Sequence, residues 1–169
     1  GLECGQASSI GLGLTYELNA KRLLPGNVSQ NQQATHFTYN FINGGTNNGV
    51  SFMESWEIVK RCGNPSVFDY GGIAYGGPSR WMSGYNLYYN AMHNRITGVE
   101  VIYINTVEGL NTLKNWIYNH MGNDTIGGVA NFYSQTVTVT QTLPAGTPFG
   151  GQYVITTFGS NPNHAMTIL

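Results

Sequence analysis

The first half of the chain places hydrophobic residues at helical spacing. Ile10, Leu14 and Leu18 lie four residues apart after a Cys-Gly turn, which predicts one face of a buried helix whose first turn begins near Ala7. A helix N-terminus carries unpaired N–H groups and a partial positive charge, so a thiolate or an oxyanion can be stabilised there. The opening stretch is therefore either a glycine-rich core helix or the support of a reactive group.

Three more helices are predicted in this half, over residues 30–41, 50–61 and 85–93. The first follows a capping Ser29 and is broken by the successive glycines of Asn43-Gly44-Gly45. The second stops at Cys62-Gly63. Residues 64–84 are rich in turn signals and are expected to run over the surface.

The second half changes to β-branched and alternating sequence. Residues 99–104 predict a strand, and residues 106–121 predict an amphipathic helix that ends at Gly122. Four further strands are predicted at 127–133, 136–142, 152–158 and 164–169. A helical first half followed by a mostly β second half predicts the α+β class.

Composition narrows the classes of function. Charged residues make up 9% of the 169 residues, with 7 Lys and Arg against 8 Asp and Glu, so the chain has no basic face for nucleic acid. No apolar run is long enough to span a membrane. The 23 glycines and 11 tyrosines are typical of a loop-rich, exported protein. The two cysteines allow one disulfide without requiring it, and they lack the spacing of a metal site.

The order of these features resembles the papain-like cysteine peptidases. In that family the nucleophile lies in a Cys-Gly-Ser-Cys-Trp-Ala-Phe-Ser segment at the start of the central helix, with a Glu further along that helix. When the first Cys-Gly of the segment is placed on Cys4-Gly5, Glu17 falls on the family's Glu without a gap. The family's Asn-Gly-Gly loop then matches Asn43-Gly44-Gly45, and its histidine strand matches Asn163-His164-Ala165. The 157 residues from Ala7 to His164 slightly exceed the usual separation of about 130–150.

The resemblance implies a two-lobed papain-like fold, with a helical lobe over residues 1–98 and an antiparallel β-rich lobe over 99–169. It also places the nucleophile position on Ala7, which has no nucleophilic group. Ala7 is then either an engineered replacement of a cysteine or the mark of a natural pseudo-peptidase. A third interpretation makes Cys4 the nucleophile, which requires a slip of three residues that misplaces Glu17.

The resemblance further assigns roles to residues of the cleft. His164 would pair with a thiol at position 7, and the N–H of residue 7 would donate to the oxyanion. Asn43, Gly44 and Gly45 would pair with an extended peptide, or they simply end a helix. Asn163 and Ala165 would flank a substrate subsite. The other three histidines, His36, His93 and His120, are interpreted as surface or packing residues. A Cys4–Cys62 disulfide is slightly favoured, although Cys62 does not match the family's usual partner cysteine.

Two groups of the family's site have no counterpart in this sequence. The second oxyanion donor is a Gln ahead of the nucleophile segment, and the Asn that orients the imidazole follows the histidine strand, whereas Leu169 lies five residues past His164. We therefore expect a second polypeptide, made by cleavage after Leu169, to complete the β lobe; simple truncation is the alternative. A propeptide is a further candidate partner.

The sequence thus predicts an exported bacterial cysteine endopeptidase without cofactor or metal, inactive here because of Ala7. The alternative is a natural pseudo-peptidase that binds peptides or proteins in the same cleft. A more remote alternative, based on the tyrosine, tryptophan, asparagine and glycine content, is a β-rich carbohydrate-binding protein.

Overall fold

The computed structural model of the chain describes residues 2–72, 76–120, 127–135, 140–155 and 161–168. Helices precede the strands in chain order, and both kinds of element contribute, so the fold is of the mixed α+β kind that the sequence predicts. The helical elements are α1 (Cys4–Gln6), a π-helix (Ala7–Leu14), α2 (Thr15–Arg22), α3 (Thr35–Ile42), α4 (Phe52–Cys62), α5 (Val67–Tyr70), a 3₁₀ turn (Gly77–Ser79), α6 (Tyr85–Met92) and α7 (Val107–Asn119).

The strands form two small antiparallel sheets. Strand β1 (Ala130–Ser134) pairs with β4 (His164–Ile168), and β2 (Thr140–Thr142) pairs with β3 (Tyr153–Ile155). All four strands predicted from residue 127 onward are present among the described residues, and β1 begins at Ala130, three residues later than predicted. Residues 136–139, 156–158 and 169 of the predicted strands lie outside the described residues.

The first three helical segments join into one continuous helix from Cys4 to Arg22, which we call the central helix. The residues at the junctions of these segments keep right-handed helical backbone angles, and the helix ends at Arg22, followed by Leu23 with a φ of 56°. Ile10, Leu14 and Leu18 are buried on it and pack with Val59 of α4. The predicted hydrophobic face is confirmed.

Glycines let the central helix approach its neighbours closely. A Cβ added to Gly5 would lie 2.9 Å from the carbonyl oxygen of Val50, just before α4. A Cβ on Gly13 would lie 3.3 Å from the side-chain oxygen of Asn131 on β1. The glycine-rich character of this helix therefore reflects close packing on two sides.

Strand β1 also contacts α4 through one aromatic pair. The Tyr133 ring stacks on Phe52 with a centroid distance of 4.2 Å, and the Tyr133 hydroxyl accepts a hydrogen bond from the Phe52 N–H at 3.0 Å. The β1–β4 sheet is thus attached to the helical part at the beginning of α4.

Two predictions in the first half are wrong. The second helix begins at Thr35, not at residue 30, because Gln33 forms an antiparallel bridge with Ser66 and the Gln32 carbonyl accepts the Val67 N–H at 2.8 Å. The same contacts bring part of the 64–84 segment inside the protein. Asn64, Pro65, Ser66 and Tyr70 are buried rather than spread over the surface.

The strand predicted at 99–104 is also wrong. These residues have no regular structure, and Val101, Tyr103 and Ile104 are more than half exposed. The following helix is present as α7, and the Thr106 hydroxyl caps it by accepting the Gly109 N–H at 3.1 Å. Its predicted inner face is only partly buried, since no residue of α7 is buried. Its predicted end at residues 121 and 122 lies outside the described residues, and the proposed lobe boundary at residue 98 falls between α6 and α7.

Substituting Gly63 tests the junction between α4 and α6. Gly63 has a φ of 73°, and an added Cβ would lie 1.8 Å from the Ala91 carbonyl oxygen. We expect Gly63→Ala to lower the free energy of unfolding by more than about 3 kcal/mol, because the backbone must move. The matched control is Gly45→Ala, where φ is 75° but nothing lies within 4 Å. There we expect a loss of about 1 kcal/mol from backbone strain alone. Urea unfolding of both variants measures the difference, and equal losses would contradict the steric explanation.

The buried hydroxyl of Tyr70 predicts a loss of stability at alkaline pH. Burial raises the pKa of Tyr70, and this outweighs the nearby Arg80, which lowers it. The folded chain therefore holds this proton more tightly than the unfolded chain, so the contribution is complete below about pH 10 and is lost as the pH rises further. The midpoint of urea unfolding should be lower above pH 10 than at pH 8, and this decrease should be smaller in Tyr70→Phe than in the unchanged chain. An equal fall in both proteins would show that Tyr70 does not contribute.

Candidate functional site

The strand that carries His164 lies against the first part of the central helix. The Thr167 hydroxyl and the Asn131 side-chain amide each donate a hydrogen bond of 2.9 Å to the Ser8 carbonyl oxygen. Thr167 and Asn131 are also directly paired across β1 and β4. One helix carbonyl therefore binds both strands of this sheet.

His164 is the first residue of β4 and is half-buried. It is paired with Ser134, whose carbonyl oxygen accepts the Asn163 N–H at 3.0 Å. Ala165 is buried, whereas Asn163 is exposed. The three residues of the predicted histidine strand thus lie where β4 begins.

Position 7 is open to solvent although its neighbours are not. Ala7 is exposed, while Gln6 and Ser8 on either side are buried. Cα atoms of α1 and β4 come within 8 Å of each other, so the start of the helix and the histidine strand lie side by side. Among the described residues, no hydrogen bond joins His164 to position 7 or to Cys4.

The oxyanion role expected for the Ala7 N–H does not fit the structure. This N–H donates to the Glu3 carbonyl oxygen at 2.9 Å. The cause is the start of the helix, which begins at Cys4, three residues earlier than the pattern predicted. The N–H groups without partners inside the helix are then those of its first turn, before residue 7.

The expected Cys4–Cys62 disulfide is absent, and both residues are free cysteines. Cys4 adjoins Gly5, which packs against Val50 before the start of α4, whereas Cys62 is the last residue of α4. Because a helix rises 1.5 Å per residue, the length of α4 from Phe52 to Cys62 separates these positions by about 15 Å. A disulfide requires Cα atoms less than about 7 Å apart.

The Asn43-Gly44-Gly45 loop divides into a buried and an exposed part. The Asn43 side chain is buried, donates to the Pro78 carbonyl oxygen at 2.6 Å and accepts the Gly45 N–H at 2.8 Å. It therefore fixes the loop and does not face a ligand. Gly44 and Gly45 are exposed, with positive φ angles and open space around them. The Gly45 N–H, which was expected to pair with a peptide, is already bonded.

Among the described residues, two histidine–carboxylate pairs are present that the sequence did not predict. Glu17 of the central helix pairs with His120, whose ring lies 3.7 Å from the Trp116 ring between centroids. Glu3 pairs with the buried His36 at 2.7 Å. His36 is buried and His120 is half-buried, and both rings contact aromatic side chains, which fits packing residues; their carboxylate contacts were not expected. No local pattern could have revealed these pairs, because their members lie 33 and 103 positions apart in the sequence.

The described residues contain neither a metal-binding group of side chains nor a membrane-spanning helix. No group of three His, Cys, Asp or Glu side chains in these ranges is placed to hold a metal ion. No helix within the same ranges is long and apolar enough to cross a bilayer. Comparisons with known protein families, curated proteins and solved structures gave no match to this chain.

The thiol state of Cys4 and Cys62 can be measured directly. Because neither cysteine is bonded to the other, denatured protein prepared without reductant should take up two alkyl groups from iodoacetamide. Intact-mass spectrometry counts the adducts, and a sample reduced before alkylation is the control. Alkylation that appears only after reduction would contradict the separation of the two cysteines.

Proposed function

We propose that this chain has the framework of a papain-like cysteine peptidase, with position 7 as the nucleophile site. The observation that supports this function is the hydrogen bonding of the Ser8 carbonyl to Thr167 and Asn131. It holds the strand that begins at His164 against the helix segment that contains position 7. Thiol-dependent peptide hydrolysis requires a thiol within reach of a general base, and this contact brings the helix segment of position 7 beside the strand that carries His164.

The proposed chemistry requires a cysteine at position 7. Its thiolate attacks the carbonyl carbon of the peptide bond, and the His164 imidazolium gives its proton to the departing amine. Water activated by the neutral imidazole then hydrolyses the thioester and regenerates the thiol. The Ala7 methyl group can form no such bond. If residue 7 is the nucleophile position, the chain with Ala7 therefore binds peptides without cleaving them.

Cys4 is a second candidate for the nucleophile, and one observation favours it. The helix begins at Cys4, and this residue is a free, half-buried cysteine. Its position in the first turn places it next to N–H groups that have no intrahelical partner, whereas the Ala7 N–H is bonded to Glu3. A thiolate is stabilised at such a helix start. In this version the chain is an active peptidase as it stands.

The binding module remains the alternative from another class of function. It would use the same cleft, and exposed glycine backbone at Gly44 leaves room for an extended peptide. A second polypeptide that completes the β lobe, a propeptide and export from the cell also stay predictions.

Labelling with a peptidyl chloromethylketone distinguishes these proposals. The unchanged chain, Cys4→Ser and Ala7→Cys are treated at neutral pH, and the labelled residue is found by peptide mass spectrometry. If position 7 is the nucleophile site, Ala7→Cys gains rapid labelling at residue 7, and the unchanged chain does not react at residue 4. If Cys4 is the nucleophile, the unchanged chain reacts there and Cys4→Ser does not.

The matched control is Cys62→Ser, which removes the other free cysteine and should leave the labelling of either candidate unchanged. Both nucleophile proposals require that His164→Ala abolishes the rapid reaction, because an unpaired thiol reacts slowly at neutral pH. The peptidase function fails if neither Cys4 nor a cysteine introduced at position 7 reacts faster than free cysteine. Peptide binding without such reactivity would support the binding module.

A further inference from the structure

The two side chains that bind the Ser8 carbonyl form a closed polar cluster. The Asn131 amide donates one hydrogen bond to the Ser8 oxygen and another to the Thr167 hydroxyl, both at 2.9 Å. The Thr167 hydroxyl in turn donates to the same Ser8 oxygen at 2.9 Å. The three polar atoms thus lie within hydrogen-bond distance of one another. We call Ser8, Asn131 and Thr167 the clasp.

The local structure of the helix makes the clasp possible. Ser8 lies in the π-helix, where backbone hydrogen bonds run to the fifth residue rather than the fourth. Gly13 lies on the same side, and a Cβ there would come within 3.3 Å of the Asn131 side-chain oxygen. The missing side chain at residue 13 therefore leaves the space that Asn131 occupies. A π-helical turn is rare and is found frequently at functional sites.

The clasp also fixes the sheet with respect to the helix. Asn131 and Thr167 come from different strands and form one cross-strand pair, so the clasp sets the position of β4 as well as that of β1. His164 lies three residues before Thr167 on the same strand, about 10 Å away at the usual rise per residue, and its side chain leaves the opposite face of the strand, so Thr167 acts on it through the backbone. A shift of the strand at Thr167 would therefore move His164 with respect to positions 4 and 7.

We propose that Asn131 and Thr167 are positioning residues for the reaction of the proposed cysteine site, which act by holding the His164 strand against the start of the central helix. This inference rests on the proposed function. Neither residue touches the reacting atoms in this scheme. Their effect is on the separation between the imidazole and the thiol, on which the stability of a thiolate–imidazolium pair depends.

The test uses the rate of alkylation by iodoacetamide between pH 4 and 9, measured in the Ala7→Cys chain, which carries both candidate thiols. A free thiol has a pKa of about 8.5 and is mostly protonated and unreactive below that pH, whereas a thiolate paired with an imidazolium stays reactive well below it. Thr167→Val removes the hydroxyl and keeps the shape of the side chain. We expect its rate at pH 6 to fall by about ten- to a hundredfold, because a misplacement of a reacting group by about 1 Å can cost up to about a hundredfold.

Three further variants separate positioning from simple loss of stability. Thr167→Ser keeps the hydroxyl and should restore the rate. Asn131→Asp keeps the shape but removes both donated hydrogen bonds, and should act like Thr167→Val. Thr38→Val is the control, since the Thr38 hydroxyl, like that of Thr167, donates to a backbone carbonyl, here that of Thr35 within α3. It should lose stability without changing the pH profile.

The outcomes are distinct. In one outcome, the alkylation rate of Thr167→Val depends on pH as in its parent, and the variant only loses stability as Thr38→Val does. That result would overturn the positioning role and leave the proposed function intact. If the Ala7→Cys parent itself shows the profile of a free thiol, the proposed function and this inference both fail. A shifted profile in Thr167→Val and Asn131→Asp, restored in Thr167→Ser, supports the inference.

Discussion

The close approach of the central helix to its neighbours is the constraint on which the rest of the structure depends. Gly5, Gly11 and Gly13 face Val50, the Thr35 methyl group and Asn131 respectively, at distances that leave little or no room for a side chain. Three different parts of the chain are therefore fixed on one helix. The hydrophobic face of Ile10, Leu14 and Leu18 adds the burial that makes this packing favourable. Because Asn131 of the β1–β4 sheet lies against Gly13, the position of His164 on that sheet depends on the helix.

Amide side chains make many of the contacts that ion pairs make in more highly charged proteins. Asn64 donates to the carbonyl oxygens of Ala34 and Pro65, and Asn40 donates to that of Arg80. These bonds satisfy backbone groups of irregular segments that are buried, where an unpaired carbonyl would be costly. With only 9% charged residues, the chain holds its loops by neutral hydrogen bonds. The pairs of Glu3 with His36 and Glu17 with His120 are exceptions.

The sequence predicted those features that depend on neighbouring residues and missed those that depend on distant ones. The buried stripe of the central helix, α4, α6 and the four late strands all follow from local spacing. The late start of α3 depends on the bridge between Gln33 and Ser66, which no local pattern contains. Residues 99–104 have the composition of a strand, but a strand requires a partner and the described residues supply none. In the site, the sequence predicted a helix that carries Ala7 and a strand that carries His164. It could not predict the clasp or the residue at which the helix begins.

The first residue of the helix decides how the two candidate nucleophile positions differ. A shift of three residues on a helix moves a side chain by about 4.5 Å along the axis and by about 60° around it. Cys4 is therefore a neighbour of Ala7 on the helix surface, and the sequence pattern alone could not choose between the two. The structure distinguishes them by their backbone, since the Ala7 N–H is bonded to Glu3 and Cys4 lies in the first turn. Position 7 offers exposure and position 4 offers the helix N-terminus, and a strand held at Ser8 lies within about one turn of both.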